Sequence, residues 1–148
     1  PPMAKPFDFR LQKVLEYRQQ LEDQARMALA EAQAQHAAQE AVVRDLETRL
    51  AAHIEQGFGD KATEADIWLW MRYREALERD LTDARGTLER LAFVLHTKRQ
   101  EAVLRSREKK LLEKLKERQA RKHHVAETLA EQKEYDEMAT LRYKREDH

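Results

Sequence analysis

The sequence predicts an all-α protein, a two-helix antiparallel coiled-coil hairpin with unequal arms whose second helix overhangs at its C-terminal end. Three observations carry that expectation. Glycine and proline number 3 each in 148 residues, too few for the turns of a β-rich or α/β fold. Charged residues make up 38% and the mean hydropathy is −0.91, while alanine supplies 21 of the apolar residues, so bulky apolar mass is too thin for a thick globular core. Finally, apolar residues recur at alternating spacings of three and four on both sides of a single break. One coiled-coil domain over residues 1–148 follows. Pro1 and Pro2 precede Met3-Ala4 and read as a cloning remnant, with the natural chain expected to start at Met3.

Helix 1 is expected over about 9–55. Positions 11, 18, 25, 32, 39 and 46 are Leu, Arg, Ala, Ala, Gln and Leu; positions 14, 21, 28, 35 and 42 are Val, Leu, Ala, Gln and Val. Together they make a seam of about five heptads, with a small-residue middle where two backbones approach closely. Leu46, Leu50 and Ile54 then run in steps of four, a stutter that locally unwinds a supercoil.

The turn is expected over 56–63. Gly57 and Gly59 end a helix well, because glycine takes the left-handed conformation without a Cβ clash. Thr63-Glu64-Ala65-Asp66 restarts it as a capping box, with Glu64 and Asp66 at the positive end of the helix dipole.

Helix 2 is expected over about 64–142. Its seam reads Ile67, Trp70, Arg74, Leu77, Leu81, Ala84, Leu88, Leu91 and Leu95, then shifts to Leu104, Leu111, Leu115, Lys122, Val125 and Leu129. Gly86 is the one interruption, at roughly 1 kcal/mol against alanine. At about 1.5 Å per residue the arms measure roughly 70 Å and 120 Å. Folding about Gly57–Gly59 pairs residues whose numbers sum to about 118, because a short connection makes antiparallel neighbours. Phe7, Phe9 and Leu11 then come near residues 104–112, and residues beyond about 112 lack a partner within the chain. A lone helix of that length is marginal in water, so another molecule is expected to cover it or the tip frays.

The net charge is zero but unevenly placed. Residues 98–122 hold 11 Lys and Arg against 4 Asp and Glu, followed by His123-His124. Such a block steers anionic partners. It also has a bland reading, a solvated face with pairs such as Glu113–Lys116 and Glu117–Arg121. An acidic protein surface and nucleic acid are the two functional readings. Nucleic acid is the less expected, because no aromatics interleave with the cations for base stacking.

Several chemistries are excluded. Without cysteine there is no disulfide, thiolate metal site or thiol catalysis. Three glycines build no phosphate loop. His36/Glu40 and His123/Glu127 have metal-compatible i,i+4 spacing, but in so glutamate-rich a chain such pairs arise by chance. A two-helix hairpin offers no desolvated cleft to tune a general acid. No enzyme activity, metal or cofactor is expected. The chain has no transmembrane or signal pattern, and a cytoplasmic protein is expected.

Aromatics mark contact points. Phe58, Trp68, Trp70 and Tyr73 cluster near the turn. Trp68 and Trp70 lie about 200° apart on a helix, so Trp70 belongs to the seam and Trp68 points outward. Trp68 then either folds against Phe58 or anchors a partner. Tyr135, Met138 and Tyr143 form a second group on the segment without an intramolecular partner.

Phe7-Asp8-Phe9-Arg10-Leu11-Gln12-Lys13-Val14-Leu15-Glu16-Tyr17-Arg18 resembles the F-x-F-x-L-x-x-V-L-x-x-R opening of the flagellar FliJ proteins. The tryptophan after the break and Asp136-Glu137-Met138-Ala139 are similar to that family as well, and the resemblance covers the chain from Met3. It implies a stalk-like, non-enzymatic component of the type III flagellar export apparatus. Its expected partners are the export ATPase hexamer (FliI-like), the cytoplasmic domain of the export gate protein (FlhA-like) and export chaperones. Membrane association is expected only through partners, at the flagellar base. The resemblance places gate binding on Leu46, Tyr73 and Leu77, with Asp80 standing where a small residue is expected, and the aromatic pattern near the turn adds Trp68 and Trp70 as expected gate-binding residues. With the overhang and the basic block set beside the resemblance, the expected ATPase-binding residues are Phe7, Phe9, Leu11, Lys109, Lys110, Lys114, Lys116, Tyr135 and Met138. A nucleic-acid-binding helical hairpin and a prefoldin-like or adaptor coiled coil stay open as alternatives.

Overall fold

A computed structural model describes residues 5–146. The expected start at Met3 lies outside the described residues. Two helices make up the structure, α1 over Gln12–Gln56 and α2 over Glu64–Glu146, and no strand occurs among the described residues. The helices pack against each other as an all-α hairpin. Two compact units divide it, one from residues up to Glu22 with those from Arg105 onward, the other from Asp23–Leu104.

The Asp23–Leu104 unit contains the turn. Gly57 and Gly59 have φ of 61° and 81°, the left-handed values that free the chain from α1. The Gly57 amide donates to the His53 carbonyl at 3.2 Å and closes the last turn. The capping box then forms in both directions. The Asp66 amide donates to Thr63 Oγ1 at 3.2 Å, and the Thr63 amide donates to Asp66 Oδ2 at 3.0 Å. That second bond, reinforced by the Thr63 hydroxyl contact, holds the Asp66 carboxyl below its ordinary value of 3.8. Val43, Leu81 and Ala84 form the core, with Leu46, Leu50 and Leu88 packed on it. Gln39 Nε2 donates to the Ala84 carbonyl at 3.0 Å across the seam. Ala25 and Ala32 are buried, as close helix approach requires.

The burial pattern corrects the expected α1 seam. Arg18, Ala25, Ala32, Gln39 and Leu46 face inward as expected, but Leu11 is 39% exposed. The companion row is Leu15, Glu22, Leu29, His36, Val43 and Leu50, one position beyond the expected one. Val14, Gln35 and Val42 are exposed. The alternation continues through Leu46, Leu50 and His53, and Ile54 is exposed, so burial shows no stutter. The physical reason is that three positions of the real seam are ionisable. A search for apolar residues passes over Glu22, His36 and His53, although each has a partner that makes its burial tolerable.

On α2 the expected seam holds from Ile67 to Leu95 except at Arg74, which is exposed and bonds Glu78 at 2.9 Å. Beyond Leu95 the expected shift does not occur. Lys98, Ala102, Arg105, Lys109, Leu112, Lys116, His123 and Glu127 continue inward, whereas Leu104, Leu111, Lys122, Val125 and Leu129 are exposed and Leu115 is half-buried.

The other unit pairs the start of the chain with the later part of α2. Lys5 to Leu11 are not helical, so α1 starts at Gln12 and not at about 9. Seven non-helical residues reach roughly 23 Å when extended, against about 10 Å as a helix. That extra reach carries Phe7 to His123, with ring centroids 5.7 Å apart, and places the Lys5 carbonyl 2.8 Å from the His123 Nε2–H donor. Phe7 and Phe9 therefore lie further along α2 than the 104–112 expected. The unpartnered end is shorter for the same reason: every described residue over 128–146 is exposed, while contacts with the chain's beginning extend to His123. Side-chain direction adds to the offset. In antiparallel helices each Cβ tilts toward its own N-terminus, so long side chains from both arms reach partners whose numbers sum to more than the axes imply.

Candidate partner-binding surfaces

At the turn end, His53 and Trp70 clasp each other. His53 Nε2–H donates to the Trp70 carbonyl at 2.9 Å, Trp70 Nε1–H donates to the His53 carbonyl at 3.2 Å, and the rings stack at 4.7 Å. Tyr73 meets the His53 ring edge-on at 4.7 Å, and Phe58 meets Trp70 edge-on at 5.6 Å. Phe58 thus packs on Trp70, whereas the sequence had offered Trp68 for that contact. Trp68 points outward, 56% exposed, with the Arg72 guanidinium 5.2 Å from its ring centroid.

Of the expected gate-binding residues, Trp68 and Tyr73 present accessible surface. Trp70 is half-buried in the clasp, Leu46 packs on the core, and Leu77 is 4% exposed and belongs to the hairpin packing. Sequence reasoning passed over Leu69 and Met71, which are exposed beside Trp68. The one signal for them is that they are large apolar residues off the seam. Asp80 is exposed and shares a shallow recess with Asp45, Leu46, Arg49 and Asp83, where Arg49 pairs with Asp45 at 3.0 Å.

At the other end, Phe9 is buried and Phe7 stacks on it at 6.5 Å, so both hold the chain's beginning in place, while Leu11 is partly accessible. The basic block divides between two faces. Lys109 Nζ bonds Glu22 Oε1 at 2.8 Å, Lys116 Nζ donates to Gln12 Oε1 at 2.8 Å, and Arg18 donates to the Glu108 carbonyl at 2.8 Å. Glu113 pairs with Lys109 at 3.7 Å, where the sequence had suggested Lys116. Lys110 and Lys114 face solvent. Tyr135 and Met138 are 73% and 59% exposed and, with Arg142 and Tyr143, line a shallow recess near the end of α2.

The His36–Glu40 and His123–Glu127 pairs form at 2.9 and 3.9 Å, and no group of three or more acidic or histidine ligands gathers among the described residues. No helix among the described residues is long and apolar enough to cross a membrane.

The described residues form a two-helix hairpin with exposed aromatics near the turn and near the end of α2, shallow recesses and a split basic block. The family described as Flagellar FliJ protein matches residues 7–148, nearly the whole chain, and the chain belongs to that family. Membership gives it a role connected with flagellar export. Comparison with curated proteins and with solved structures finds no match.

Proposed function

We propose that this chain is a non-enzymatic stalk and regulator of the flagellar type III export ATPase, promoting assembly of its ring and coupling it to the export gate and to export chaperones. Family membership supports the setting. The single structural observation behind the mechanism is the bare end of α2, residues 128–146, exposed on every side and carrying Tyr135, Met138, Leu141 and Tyr143. A solvated helical end with large apolar groups is stabilised when another molecule surrounds it. In this reading the ring encloses that end, and exposed Lys110 and Lys114 meet acidic surface at its mouth. Trp68 and Tyr73 at the turn end contact the gate protein. The protein then acts on the cytoplasmic side of the flagellar base, held there by its partners.

The test is to add the protein to its host's export ATPase and follow ring assembly and the hydrolysis rate. Both should rise with the full chain. Truncation after Glu127 should abolish the effect while leaving the hairpin folded. An unchanged effect with the truncated chain would remove the bare end from the mechanism.

A further inference from the structure

The stripe that the sequence places beyond Leu95 is regular, but α1 does not use it. In the unit built from the chain's beginning and the later part of α2, Lys109, Leu112, Lys116 and His123 turn inward. Leu111, Leu115, Arg118, Lys122, Val125 and Leu129 recur at the same alternating spacings of four and three on another face. Leu111, Val125 and Leu129 are 66%, 55% and 60% exposed. A helix with two heptad faces is suited to two helical neighbours, and the hairpin supplies one.

Charge decides what the second neighbour is. Arg118 and Lys122 sit at the centre of the stripe, with exposed Lys114 and Arg121 along its margin. Glu113 is engaged by Lys109, and Glu117 lies off the stripe. A second copy of this chain meeting the stripe in either orientation would bring Arg118 and Lys122 against themselves, which like-charge repulsion opposes. A lipid surface prefers an apolar centre with cations at the margins, the reverse of what this face has. Nucleic acid would leave the leucines unused.

We propose that this face receives an acidic amphipathic α-helix of another protein. That helix is apolar opposite Leu111, Leu115, Val125 and Leu129 and bears Asp or Glu opposite Arg118 and Lys122. The face shares only Lys114 and Leu129 with the ATPase reading, and the peptide assay contains no ATPase, so failure of one reading is distinguishable from failure of the other.

The test uses the full chain and a labelled synthetic peptide of three heptads, with leucine at the outer core positions and glutamate at the central core and flanking positions. A twin peptide carries lysine in place of every glutamate. Fluorescence anisotropy should show binding of the glutamate peptide and about tenfold weaker binding of its twin. Arg118→Glu with Lys122→Glu should reverse that order, and Leu111→Ser with Leu129→Ser should weaken both. Circular dichroism should be unchanged, since these four side chains are exposed. No binding of the glutamate peptide, or unaltered binding by the reversed-charge chain, would overturn the proposal. So would dimerisation in sedimentation velocity, or stronger binding to phosphatidylglycerol vesicles, if the same substitutions abolished it.

Discussion

Glu22 Oε1 lies 2.8 Å from Lys109 Nζ, and Glu22 is wholly withdrawn from solvent. A charge taken out of water is tolerated when a counter-charge and hydrogen bonds meet it; removing the counter-charge leaves the desolvation cost exposed. Lys109→Met should therefore destabilise the chain by about 3–5 kcal/mol in urea unfolding, whereas Glu22→Leu with Lys109→Leu should return it to near or above the starting stability. A double replacement as damaging as the single one would show that the pair contributes net stability of its own.

The capping box makes a pH-dependent prediction. Asp66 has a folded value below its ordinary 3.8, first because the Thr63 amide donates to it and then because of the Thr63 hydroxyl. Folding thus favours the deprotonated form. The contribution is fully present above the ordinary carboxylate range and is lost as pH falls through the depressed value. Asp66→Ala should lower the Tm at neutral pH and flatten the acid limb of the stability profile. An identical acid limb in the variant would place the loss elsewhere.

Glycine substitutions should have opposite signs along the chain. At Gly86 an added Cβ meets only the Arg90 guanidinium at 3.9 Å, so Gly86→Ala should stabilise α2 by roughly 1 kcal/mol. Gly57→Ala and Gly59→Ala have open space but left-handed φ, and each should cost about 1–2 kcal/mol. Thermal melts of the three variants decide this.

Trp68 and Trp70 should separate cleanly in a binding assay. Trp70→Phe removes the bond to the His53 carbonyl and should cost about 1 kcal/mol of stability. Trp68→Ala with Tyr73→Ala should leave helicity intact and abolish gate-protein binding, with a Tm decrease confined to Tyr73→Ala because its ring meets His53 edge-on. Retained binding would reduce those two side chains to surface decoration.

The basic block should behave as two sets. Lys110→Glu with Lys114→Glu should weaken ATPase binding, and the difference from the unaltered chain should shrink as salt rises. Reversal at Lys109 or Lys116 should first lower the Tm, because those side chains bond Glu22 and Gln12.

What could be read directly from the amino acids was whatever is encoded locally. Gly57, Gly59, Thr63 and Asp66 mark the break with their own backbone chemistry, and the leucines from Leu77 to Leu95 announce the packed face of α2. Half of the α1 seam was hidden because Glu22, His36 and His53 look like surface residues until their partners are placed opposite them. The beginning of the chain was misread for a related reason. Helix 1 is expected from about 9, yet the chain stays non-helical to Leu11, a path that tertiary contact of Phe7 with His123 rewards. The candidate surfaces were partly visible. Exposed Trp68 and packed Leu77 both follow from helical geometry, but the inward turn of Lys109 and Lys116 depends on register, which a pattern one position out of step cannot supply.

The non-helical strap from Lys5 to Leu11 bears on how the protein is handled. It ends alongside His123, well short of the last turns of α2. Under the proposed function, where a partner encloses residues 128–146, bulk attached at Lys5 would sit beside His123 and not at the enclosed end. A label at exposed Gln33 or Ala37 on α1 modifies neither the strap nor the bare end.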